Sequence, residues 1–457
     1  MSERALRVAV VGSGPAGFYA AGHLLAADTP AEVDLIERLP TPWGLVRLGV
    51  APDHPKIKAV SRAYEKIARQ QGFRFLGNVG VGKDLEHSDL MQLYDAVIYS
   101  VGAQTDRSMG IPGEDLPGSW PATVFVAWYN GHPDYQDLSF DLSCERAVVI
   151  GNGNVAVDVA RMLALTDEEL QPTDTTEPAI SAIVNSGIKE ILMLGRRGPV
   201  QGAFTPPEVQ ELGELAGADI CVEAAELKLD AASEAELAEA PAATARTVKL
   251  LREFAAREPT GKPRSLRLRF KVSPVAILGE GRVEAVEIVH NELAVDAKGR
   301  LRAVPTNKRE VIECGAVFRS VGYLGVPLPG LPFDQNRHTL PNEAGRVIDD
   351  SGAPFPGVYC AGWIKRGPTG VIGTNKKDAV ETVDLLLEDA AAGRLDRGLD
   401  PDAGQVDELL AERGVEVVTY PGWEAIDEIE CAAGEPLGRP RVKLVTWDEL
   451  RGTARGA

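Results

Sequence analysis

The first forty residues of the chain alternate between apolar runs and a glycine-rich turn. Residues 6 to 11, "LRVAVV", have the apolar pattern of a buried strand, and the turn "GSGPAG" leads into an apolar helix-like stretch. A second strand, "EVDLIER", ends near residue 37. This order of strand, glycine turn, helix and strand predicts a βαβ unit of a parallel sheet.

The same arrangement returns at residues 146 to 163, "RAVVIGNGNVAVDVARML". Two such units predict an α/β fold with two doubly wound, Rossmann-like dinucleotide-binding domains. Two shorter apolar strands, "AVIYSVGAQ" at residues 96 to 104 and "AVFRSVGYLG" at residues 316 to 325, both lead into Val-Gly. Matching strand exits of this kind are expected where the chain leaves one domain and later returns to it.

Three other stretches have distinct patterns. Residues 166 to 187 are predicted to form an inserted loop before the strand "IKEILML". Residues 223 to 245, rich in Ala and Glu, are predicted to form a solvated helix and its connection. From about residue 395 the pattern is that of a C-terminal tail of helices and turns, with two tryptophans, Trp423 and Trp447.

Composition is that of an ordinary globular protein, with 44% of the 457 residues hydrophobic and 25% charged. No apolar run reaches about 18 residues, so no membrane-spanning helix is expected. The N-terminus enters a strand without the pattern of a cleavable signal. The net charge of −19 repels nucleic acid and anionic membranes, so neither is expected as a partner.

The five cysteines are scattered and include no Cys-x-x-Cys pair. This spacing argues against a disulfide framework, a zinc site and a thiol-relay enzyme, and no metal site is expected. A reducing cytoplasm is the expected location.

The first glycine turn has the spacing of a dinucleotide site. Gly12, Gly14 and Gly17 form Gly-x-Gly-x-x-Gly between a strand and a helix, where backbone can approach a pyrophosphate and the helix N-terminus supplies amide donors. Glu37 lies 20 residues after Gly17, at the end of the next strand. A carboxylate there accepts hydrogen bonds from ribose hydroxyls and would repel a 2′-phosphate.

The second glycine turn differs at its ribose corner. Gly151 and Gly153 are followed by Ala156, a tolerated variant of the third glycine. The next predicted strand ends in Arg196 and Arg197, and two guanidinium groups suit the anionic oxygens of a 2′-phosphate. A solvated strand end or an ion pair between domains is the alternative. We interpret this turn as an NADP(H) site and the first turn as an FAD site.

Longer motifs resemble the adrenodoxin-reductase-like ferredoxin–NADP⁺ reductases, including the actinobacterial type. They are "VVGSGPAGFYAA", "PTPWGLVRLGVAPDHPKIK", "VIGNGNVAVDVAR", "GRRGPVQGAFTPPEVQEL" and "GWIKRGPTGVIGTNKKDA", with a further match at "AAGEPLGRPRVKLV". The resemblance covers nearly the whole chain. It implies an FAD domain of residues 1 to 105 and 325 to 457, interrupted by an NADP domain of residues 106 to 324.

The resemblance also implies which residues contact each cofactor. FAD would contact Ala16, Glu37, Leu45, Val81, Trp363, Gly370, Val371 and Ile372. NADP(H) would contact Arg107, Asn152, Gly153, Asn154, Val155, Arg196, Arg197, Glu208 and Gly370. A helix beginning near Thr374 would point its N-terminus at the flavin and stabilise the anionic reduced form. A tight turn followed by a capped helix is an alternative that is compatible with this role.

His54 and Glu211 resemble the family's active-site pair beside the flavin and the nicotinamide. His54 lies in the loop "PDHP", where prolines restrict the backbone, and its alternative is a packed loop histidine. Glu208 also has an alternative, because Thr205-Pro-Pro-Glu208 has the pattern of a capping box with proline at the first helical position. Glu211 lies about one turn further along the same face.

Together these features predict an enzyme in which NADPH gives hydride to FAD and the reduced flavin passes electrons singly to ferredoxin. A flavin disulfide reductase is an alternative, against which the missing Cys-x-x-Cys pair counts. An NADPH-dependent flavin monooxygenase or oxidase and a non-catalytic, NADPH-binding redox sensor are the others.

Residues 246 to 271 carry nine basic and two acidic side chains in this acidic chain. An acidic enzyme that meets an acidic ferredoxin needs a local patch of the opposite sign. We therefore expect ferredoxin to dock on this stretch, with Arg246, Lys249 and Arg252 at three-residue spacing. A solvated helix face followed by a strand is the alternative.

Overall fold

The computed structural model describes residues 4 to 456, and strands alternate with helices along most of them. The strands, in chain order, are β1 (Leu6–Val11), β2 (Ala31–Ile36), β3 (Phe73–Leu76), β4 (Ala96–Tyr99), β5 (Thr105–Asp106), β6 (Ser119–Pro121), β7 (Arg146–Ile150), β8 (Glu190–Leu194), β9 (Ala218–Val222), β10 (Arg264–Arg269), β11 (Val272–Leu278), β12 (Ala285–Val295), β13 (Leu301–Glu313), β14 (Ala316–Arg319), β15 (Tyr323–Leu324), β16 (Asn342–Glu343), β17 (Arg346–Ile348) and β18 (Pro354–Cys360).

The helices are α1 (Pro15–Leu25), α2 (Leu45–Leu48), α3 (Pro55–Lys58), α4 (Ser61–Ala68), α5 (His87–Leu93), α6 (Ala122–Tyr129), α7 (Asn154–Ala164), α8 (Asp167–Leu170), α9 (Glu177–Val184), α10 (Pro206–Leu212), α11 (Ala231–Glu239), α12 (Ala242–Ala255), α13 (Trp363–Arg366), α14 (Ile372–Ala391), α15 (Ala403–Glu412), α16 (Tyr420–Gly434) and α17 (Trp447–Ala454). No helix within residues 4 to 456 is both long enough and apolar enough to span a bilayer.

The described chain divides into two compact units. The first unit contains the described residues up to Val50, then His54–Thr105, and the chain from Tyr323 onward. The second unit contains Asp106–Gly322 together with the short segment Ala51–Asp53. Residue 325 is the point at which the sequence predicts the return to the first domain, and the first unit resumes at Tyr323. The clustering of Ala51–Asp53 with the second unit is not predicted by the sequence.

The first unit is built on a seven-stranded sheet with the order β16-β17-β18-β4-β1-β2-β3. The strands from β18 to β3 pair in parallel, and β16 and β17 pair antiparallel at one edge. Along β1, Val8 and Val10 pack into a core with α1 and α14, whereas Ala9 and Val11 pack into a core with α5 and α15. Because a strand presents successive side chains to opposite faces, helices cover the sheet on both sides.

The second unit contains a six-stranded parallel sheet with the order β6-β14-β7-β8-β10-β9. Ala147 and Val149 of β7 pack against a helical core that includes α6, α7 and α12. Val148 and Ile150 pack against the three-stranded antiparallel sheet β11-β12-β13. The predicted α/β fold with two parallel, Rossmann-like sheets is confirmed, and the antiparallel layer on one face is a feature that the sequence pattern did not anticipate.

The loop predicted for residues 166 to 187 is wrong, because this stretch contains α8 and α9. Thr166 caps α8 by accepting from the amide of Glu169, whose side chain accepts from the amide of Thr166. The Arg264 guanidinium then donates to the carbonyl oxygen of Leu163, just before this stretch, and to that of Ile183, within α9. Local capping and a cation from a distant strand therefore order a segment whose composition resembles a loop.

The C-terminal segment is part of the core of the first unit and is not a peripheral tail. The Trp423 side chain is 1% exposed and packs edge-to-face on Trp43, with ring centroids 4.9 Å apart. Glu430 of α16 is fully buried and accepts two hydrogen bonds from the Arg47 guanidinium, at 2.5 and 2.8 Å. Arg441 donates to the same carboxylate at 3.1 Å. A buried ion pair thus links α16 to the short helix α2, which follows β2 in the chain.

We predict that Glu430→Gln lowers the free energy of unfolding by about 3–5 kcal/mol, because it leaves Arg47 buried without its counter-charge. Burial raises the pKa of Glu430, but Arg47 and Arg441 outweigh it and hold that pKa below its usual value. The stabilisation is therefore complete above the unfolded-state pKa of about 4.3 and is lost as the pH falls through the lower folded-state pKa. Denaturant unfolding at neutral and acidic pH measures both effects.

The matched control is Glu424→Gln, which breaks the exposed pair between Glu424 and Arg69. Exposed ion pairs contribute little, so this variant should unfold like the parent protein. Equal stability of the Glu430 and Glu424 variants would show that the buried pair is not what holds the C-terminal segment.

Candidate functional site

The first glycine turn combines one very close backbone contact with open space. A Cβ built on Gly17 would lie 2.0 Å from the carbonyl oxygen of Gly12, so only glycine fits at this position of α1. A Cβ on Gly14 would meet no atom within 4 Å. No side chain caps the N-terminus of α1, and its first turn carries no acidic residue. This geometry fits a pyrophosphate, which would fill the open space and accept from the free amides.

Glu37 lies directly beside this turn. One carboxylate oxygen accepts from the backbone amide and the hydroxyl of Ser13 at 3.0 and 2.6 Å, and the other accepts from the amide of Leu39 at 3.0 Å. A carboxylate has about four acceptor positions, so capacity remains for a ribose hydroxyl. Val81 belongs to the neighbouring segment, which is held to Glu37 by a bond from the amide of Val79 to the Glu37 carbonyl at 2.9 Å.

Leu45 reaches the same turn through the loop that precedes it. The amide of Trp43 donates to the carbonyl of Ser13 at 3.0 Å. A Cβ built on Gly44 would lie 3.0 Å from the Cα of Gly14. Leu45 then begins α2, with 39% of its side chain exposed. The structure therefore places this apolar side chain at the edge of the turn.

The remaining predicted flavin contacts lie at the N-terminal ends of α1, α13 and α14. A Cβ built on Gly362 would lie 2.7 Å from the Cβ of Ala16, so the start of α13 packs onto the start of α1. Trp363, the first residue of α13, donates its indole N–H to the carbonyl of Thr369 at 3.2 Å. The turn at residues 370 to 372 follows at once, and α14 begins at Ile372. Within the first unit, the structure thus brings the predicted flavin contacts to one side of the sheet's carboxyl edge.

The second glycine turn is held in place by the segment that leads into α10. The carbonyl of Asn152 accepts from the amide of Ala203 at 3.0 Å, and the Asn154 side chain accepts from the amide of Thr205 at 2.9 Å. Gly153 occupies the N-cap position of α7. The side-chain nitrogen of Asn152 is buried without a hydrogen-bond partner among the described residues. An acceptor atom of a bound nucleotide would satisfy this donor.

Arg107 and Val155 lie next to the same turn. The amide of Arg107 donates to the carbonyl of Gly322 at 2.9 Å. Ser320 lies two residues before Gly322, and its carbonyl oxygen is 2.2 Å from the position that a Cβ on Gly151 would occupy. The strand exit that binds Arg107 therefore also contacts the glycine turn. Val155 is the second residue of α7 and is half-buried.

Arg196 and Arg197 lie just after β8. Hydrogen bonds hold their backbone, whereas their guanidinium groups form no ion pair within the described residues. The carbonyl of Arg196 accepts from the Asn291 side chain at 2.9 Å, and that of Arg197 accepts from the amide of Lys271 at 3.0 Å. Neither guanidinium has a hydrogen-bond or ion-pair partner within residues 4 to 456. Burial lowers the pKa of Arg197, and the positive charges of Arg196 and Arg302 lower it further. This arrangement favours an anionic ligand.

Arg302, on β13, is a member of this basic group that the sequence did not reveal. It reaches Arg197 only because the antiparallel sheet packs on this face of the parallel sheet, and its side chain also donates to Asp296 at 2.9 Å. No spacing pattern in the sequence connects residue 302 to the arginine pair.

Glu208 and Glu211 both lie on α10, in the second unit. Thr205 occupies the N-cap position and Pro206 the first helical position, but the Thr205 side chain makes no capping hydrogen bond. The capping box that was the alternative role for Glu208 therefore does not form, and it does not account for this residue. The negative charges of Glu208 and Glu211 both favour the charged form of Arg161, whose burial lowers its pKa.

Arg161 is a second residue that the sequence did not reveal. Its side chain is 3% exposed, and it pairs with Asp158 at 2.5 Å, with Asp53, and with Glu211 at 3.7 Å. Asp53 directly precedes His54, which is 9% exposed and occupies the N-cap position of α3 in the first unit. Because a buried arginine is stable only with counter-charges, Arg161 fixes the positions of these carboxylates.

The basic stretch at residues 246 to 271 is divided between α12 and β10. The Arg267 and Arg269 side chains of β10 pair with Glu190, Glu223, Glu226 and Glu310. These cations are therefore neutralised within the second unit. Arg246, Lys249 and Arg252 of α12 are exposed. Arg246 donates to the Gln210 side chain at 2.9 Å, and Lys249 lies 3.8 Å from Glu253.

Comparison with known proteins places this geometry in a family. Residues 6 to 185 match the family model "Pyridine nucleotide-disulphide oxidoreductase". The chain is 50% identical over 449 residues to the NADPH-ferredoxin reductase FprA of Mycobacterium leprae, covering 97% of each chain. It is 42% identical over 466 residues to the mitochondrial NADPH:adrenodoxin oxidoreductase of Salvelinus fontinalis, covering 98% of this chain and 91% of that protein.

A solved structure, Mycobacterium tuberculosis FprA in complex with NADPH, matches with a TM-score of 0.94 and 48% identity, over 99% of this chain and 100% of that one. Similarity at this level extends through both parallel sheets, both glycine turns and the C-terminal helices. The chain therefore belongs to the adrenodoxin-reductase-like family of ferredoxin–NADP⁺ reductases.

Proposed function

We propose that this protein is an FAD-dependent oxidoreductase that passes electrons from NADPH to a ferredoxin-type iron–sulfur protein. The observation that carries the proposal is the opposite charge at the ribose corners of two otherwise similar glycine turns. Glu37 lies at the first turn, and the unpaired Arg196 and Arg197 lie at the second. A carboxylate suits a ribose with free hydroxyls, and paired guanidinium groups suit a 2′-phosphate.

The proposed FAD site lies in the first unit, and the proposed NADP(H) site lies mainly in the second. FAD would be held at Gly12, Gly14, Ala16, Gly17, Glu37, Leu45, Val81, Trp363 and residues 370 to 372. NADP(H) would be held at Arg107, residues 152 to 155, Arg196, Arg197 and Glu208, and the family resemblance adds Gly370 to these residues. Bound flavin supplies the conversion of a two-electron hydride donor into a one-electron donor, which no side chain of this chain can perform.

The chain's own residues orient these groups. The N-terminus of α14, a helix of 20 residues, supplies amide donors and a positive dipole end beside the turn at residues 370 to 372. His54 and Glu211 are proposed to act beside the reacting groups, by resemblance to the family. Arg161 would support them indirectly, because it holds Glu211 and the Asp53 that precedes His54.

A disulfide reductase is a poor alternative despite the description of the matching family model. All five cysteines are free thiols, and burial raises the pKa of each one. A thiol relay needs a reactive pair with a lowered pKa. The scattered spacing of the cysteines, without a Cys-x-x-Cys pair, supports the proposal that the protein works in the cytoplasm.

The docking surface for ferredoxin is proposed to be the exposed face of α12. Within β10, Arg267 and Arg269 form ion pairs and Arg264 donates to carbonyl oxygens of the second unit. The proposed docking residues are therefore Arg246, Lys249 and Arg252 of α12. The protein carries a net charge of −19, and a ferredoxin is usually acidic, so encounter requires a local positive surface. Exposed charges of this kind mainly accelerate association and make it sensitive to salt.

We predict that Arg197→Ala weakens NADPH binding about 10- to 100-fold and leaves NADH binding nearly unchanged. The reason is that a hydrogen bond to a charged group contributes about 1.5–3 kcal/mol. NADH has no 2′-phosphate, so its binding does not depend on this hydrogen bond. Arg196→Ala should act in the same direction. Steady-state kinetics with both coenzymes and an artificial acceptor measure the effect, and Arg309→Ala, on the far part of β13, is the control. Equal weakening of both coenzymes would mean that the pair does not bind the 2′-phosphate.

We predict that replacing Arg246, Lys249 and Arg252 by glutamate slows ferredoxin reduction at low salt and flattens its salt dependence. Reduction of a small neutral acceptor by NADPH should be unchanged, because α12 takes no part in the cofactor sites. The matched control reverses three exposed bases at another helix, namely Arg62 and Lys66 of α4 and Arg69, which directly follows it. If both triple variants reduce ferredoxin equally well at low salt, α12 is not the docking surface.

A further inference from the structure

The turn between α13 and α14 has little intrinsic reason to be ordered. It contains Gly367 and Gly370, with φ of +85° and +81°, and Thr369 and Val371 are exposed, Val371 by 62%. Glycine loses more conformational freedom on ordering than any other residue. Because Thr369 and Val371 are exposed and contribute little packing, hydrogen bonds from neighbouring residues are needed to hold this turn.

Arg366, the last residue of α13, donates hydrogen bonds to the carbonyl of Thr369 in the turn and to the side chain of Asn375 in α14. One arm of its guanidinium donates to the carbonyl of Thr369, which also accepts the Trp363 indole N–H at 3.2 Å. The other arm donates to the Asn375 side chain at 2.6 Å. Asn375 lies in the first turn of α14 and is 9% exposed. Arg366 thus ties the turn to the helix that follows it, beside a local hydrogen bond from the amide of Val371 to the Thr374 hydroxyl at 3.2 Å.

The guanidinium is itself anchored and shielded from solvent. Its Nε lies 3.7 Å from the carboxylate of Asp378, and the Arg366 side chain is 19% exposed. Asp378 also pairs with Lys365 at 3.1 Å and accepts from the amide of Gly362. Asp378 therefore keeps a counter-charge and a backbone donor when Arg366 is removed, so loss of Arg366 leaves no buried carboxylate unpaired.

We propose that Arg366 is a positioning residue for the flavin, and that it holds residues 369 to 371 against the first turn of α14. The inference rests on the proposed placement of FAD at this turn. A planar guanidinium can hold two acceptors in fixed directions at once, whereas an ammonium cannot do so with the same geometry. The role assigned to Arg366 is therefore a bridge between two acceptors, and a positive charge alone does not fulfil it.

The test compares Arg366→Gln, which loses the charge and the bridge, with Arg366→Lys, which keeps the charge and loses the bridge. Arg394→Gln is the matched control at the other end of α14. Arg394 also pairs with a carboxylate, Asp389, that keeps a second cation, Arg346. The FAD dissociation constant is measured from flavin fluorescence on dilution of the holoprotein. The rate of flavin reduction at saturating NADPH is a second readout, and circular dichroism checks the fold.

We expect both Arg366 variants to raise the FAD dissociation constant by about 10- to 100-fold, the loss that corresponds to a charge-assisted hydrogen bond. Flavin reduction should slow in both, and Arg394→Gln should stay within about twofold of the parent protein in both measurements. Should either Arg366 variant fail to fold, Asn375→Ala removes the second acceptor alone, and it should raise the dissociation constant in the same direction.

Two results would overturn the inference. One is that Arg366→Lys binds FAD as tightly as the parent protein, which would assign the effect to charge. The other is that neither Arg366→Gln nor Asn375→Ala alters FAD binding. Failure of the proposed function looks different, because the parent protein would then hold no flavin at all.

Discussion

The structure depends first on how closely backbone can approach backbone at a strand–glycine–helix turn. Gly17 lies over the carbonyl of Gly12 at a distance that no side chain permits, and Gly151 approaches the carbonyl of Ser320 in the same way in the second unit. Each close contact fixes the position of a helix N-terminus above the carboxyl edge of a parallel sheet. That edge is where open α/β sheets bind their ligands. The Glu37 carboxylate and the loop of Trp43 and Gly44 are then placed by hydrogen bonds and contacts to the first turn itself.

A second constraint is electrostatic and separates the two turns. At the first turn, the Glu37 carboxylate is satisfied by backbone and hydroxyl donors of its own unit. At the second turn, Arg197 is half-buried near the like charges of Arg196 and Arg302, and the negative charge of Glu236 offsets them only in part. Burying a charge among like charges is unfavourable unless an anion joins them. At the proposed NADP(H) site, the 2′-phosphate would supply that anion, and this phosphate is the feature that distinguishes NADPH from NADH.

Local spacing made much of this predictable. The glycine turns, Glu37 and the arginine pair each depend on residues within about one βαβ unit, so the sequence alone indicates their roles. The missed features are non-local. Arg302 and the β11-β12-β13 layer act across the face of a sheet, and Arg161 collects carboxylates from three separate segments. The acids that neutralise Arg267 and Arg269 also lie elsewhere in the sequence, so the local pattern does not separate these paired bases from the exposed bases of α12. Thr205 shows that a local pattern can also be complete without forming the interaction. The sequence Thr205-Pro-Pro-Glu208 matches a capping box, but the Thr205 side chain makes no capping hydrogen bond.

The central claim is that one chain takes two electrons from NADPH and delivers them one at a time to an iron–sulfur protein. The most direct measurement is an anaerobic titration of the purified protein with NADPH, followed by mixing with oxidised ferredoxin in a stopped-flow spectrometer. The account predicts visible flavin absorbance that is bleached by about one equivalent of NADPH and far less readily by NADH. The absorbance should then return as ferredoxin becomes reduced in a ratio of about two molecules per flavin. Protein without flavin absorbance, or bleached flavin that ferredoxin does not reoxidise, would contradict the account.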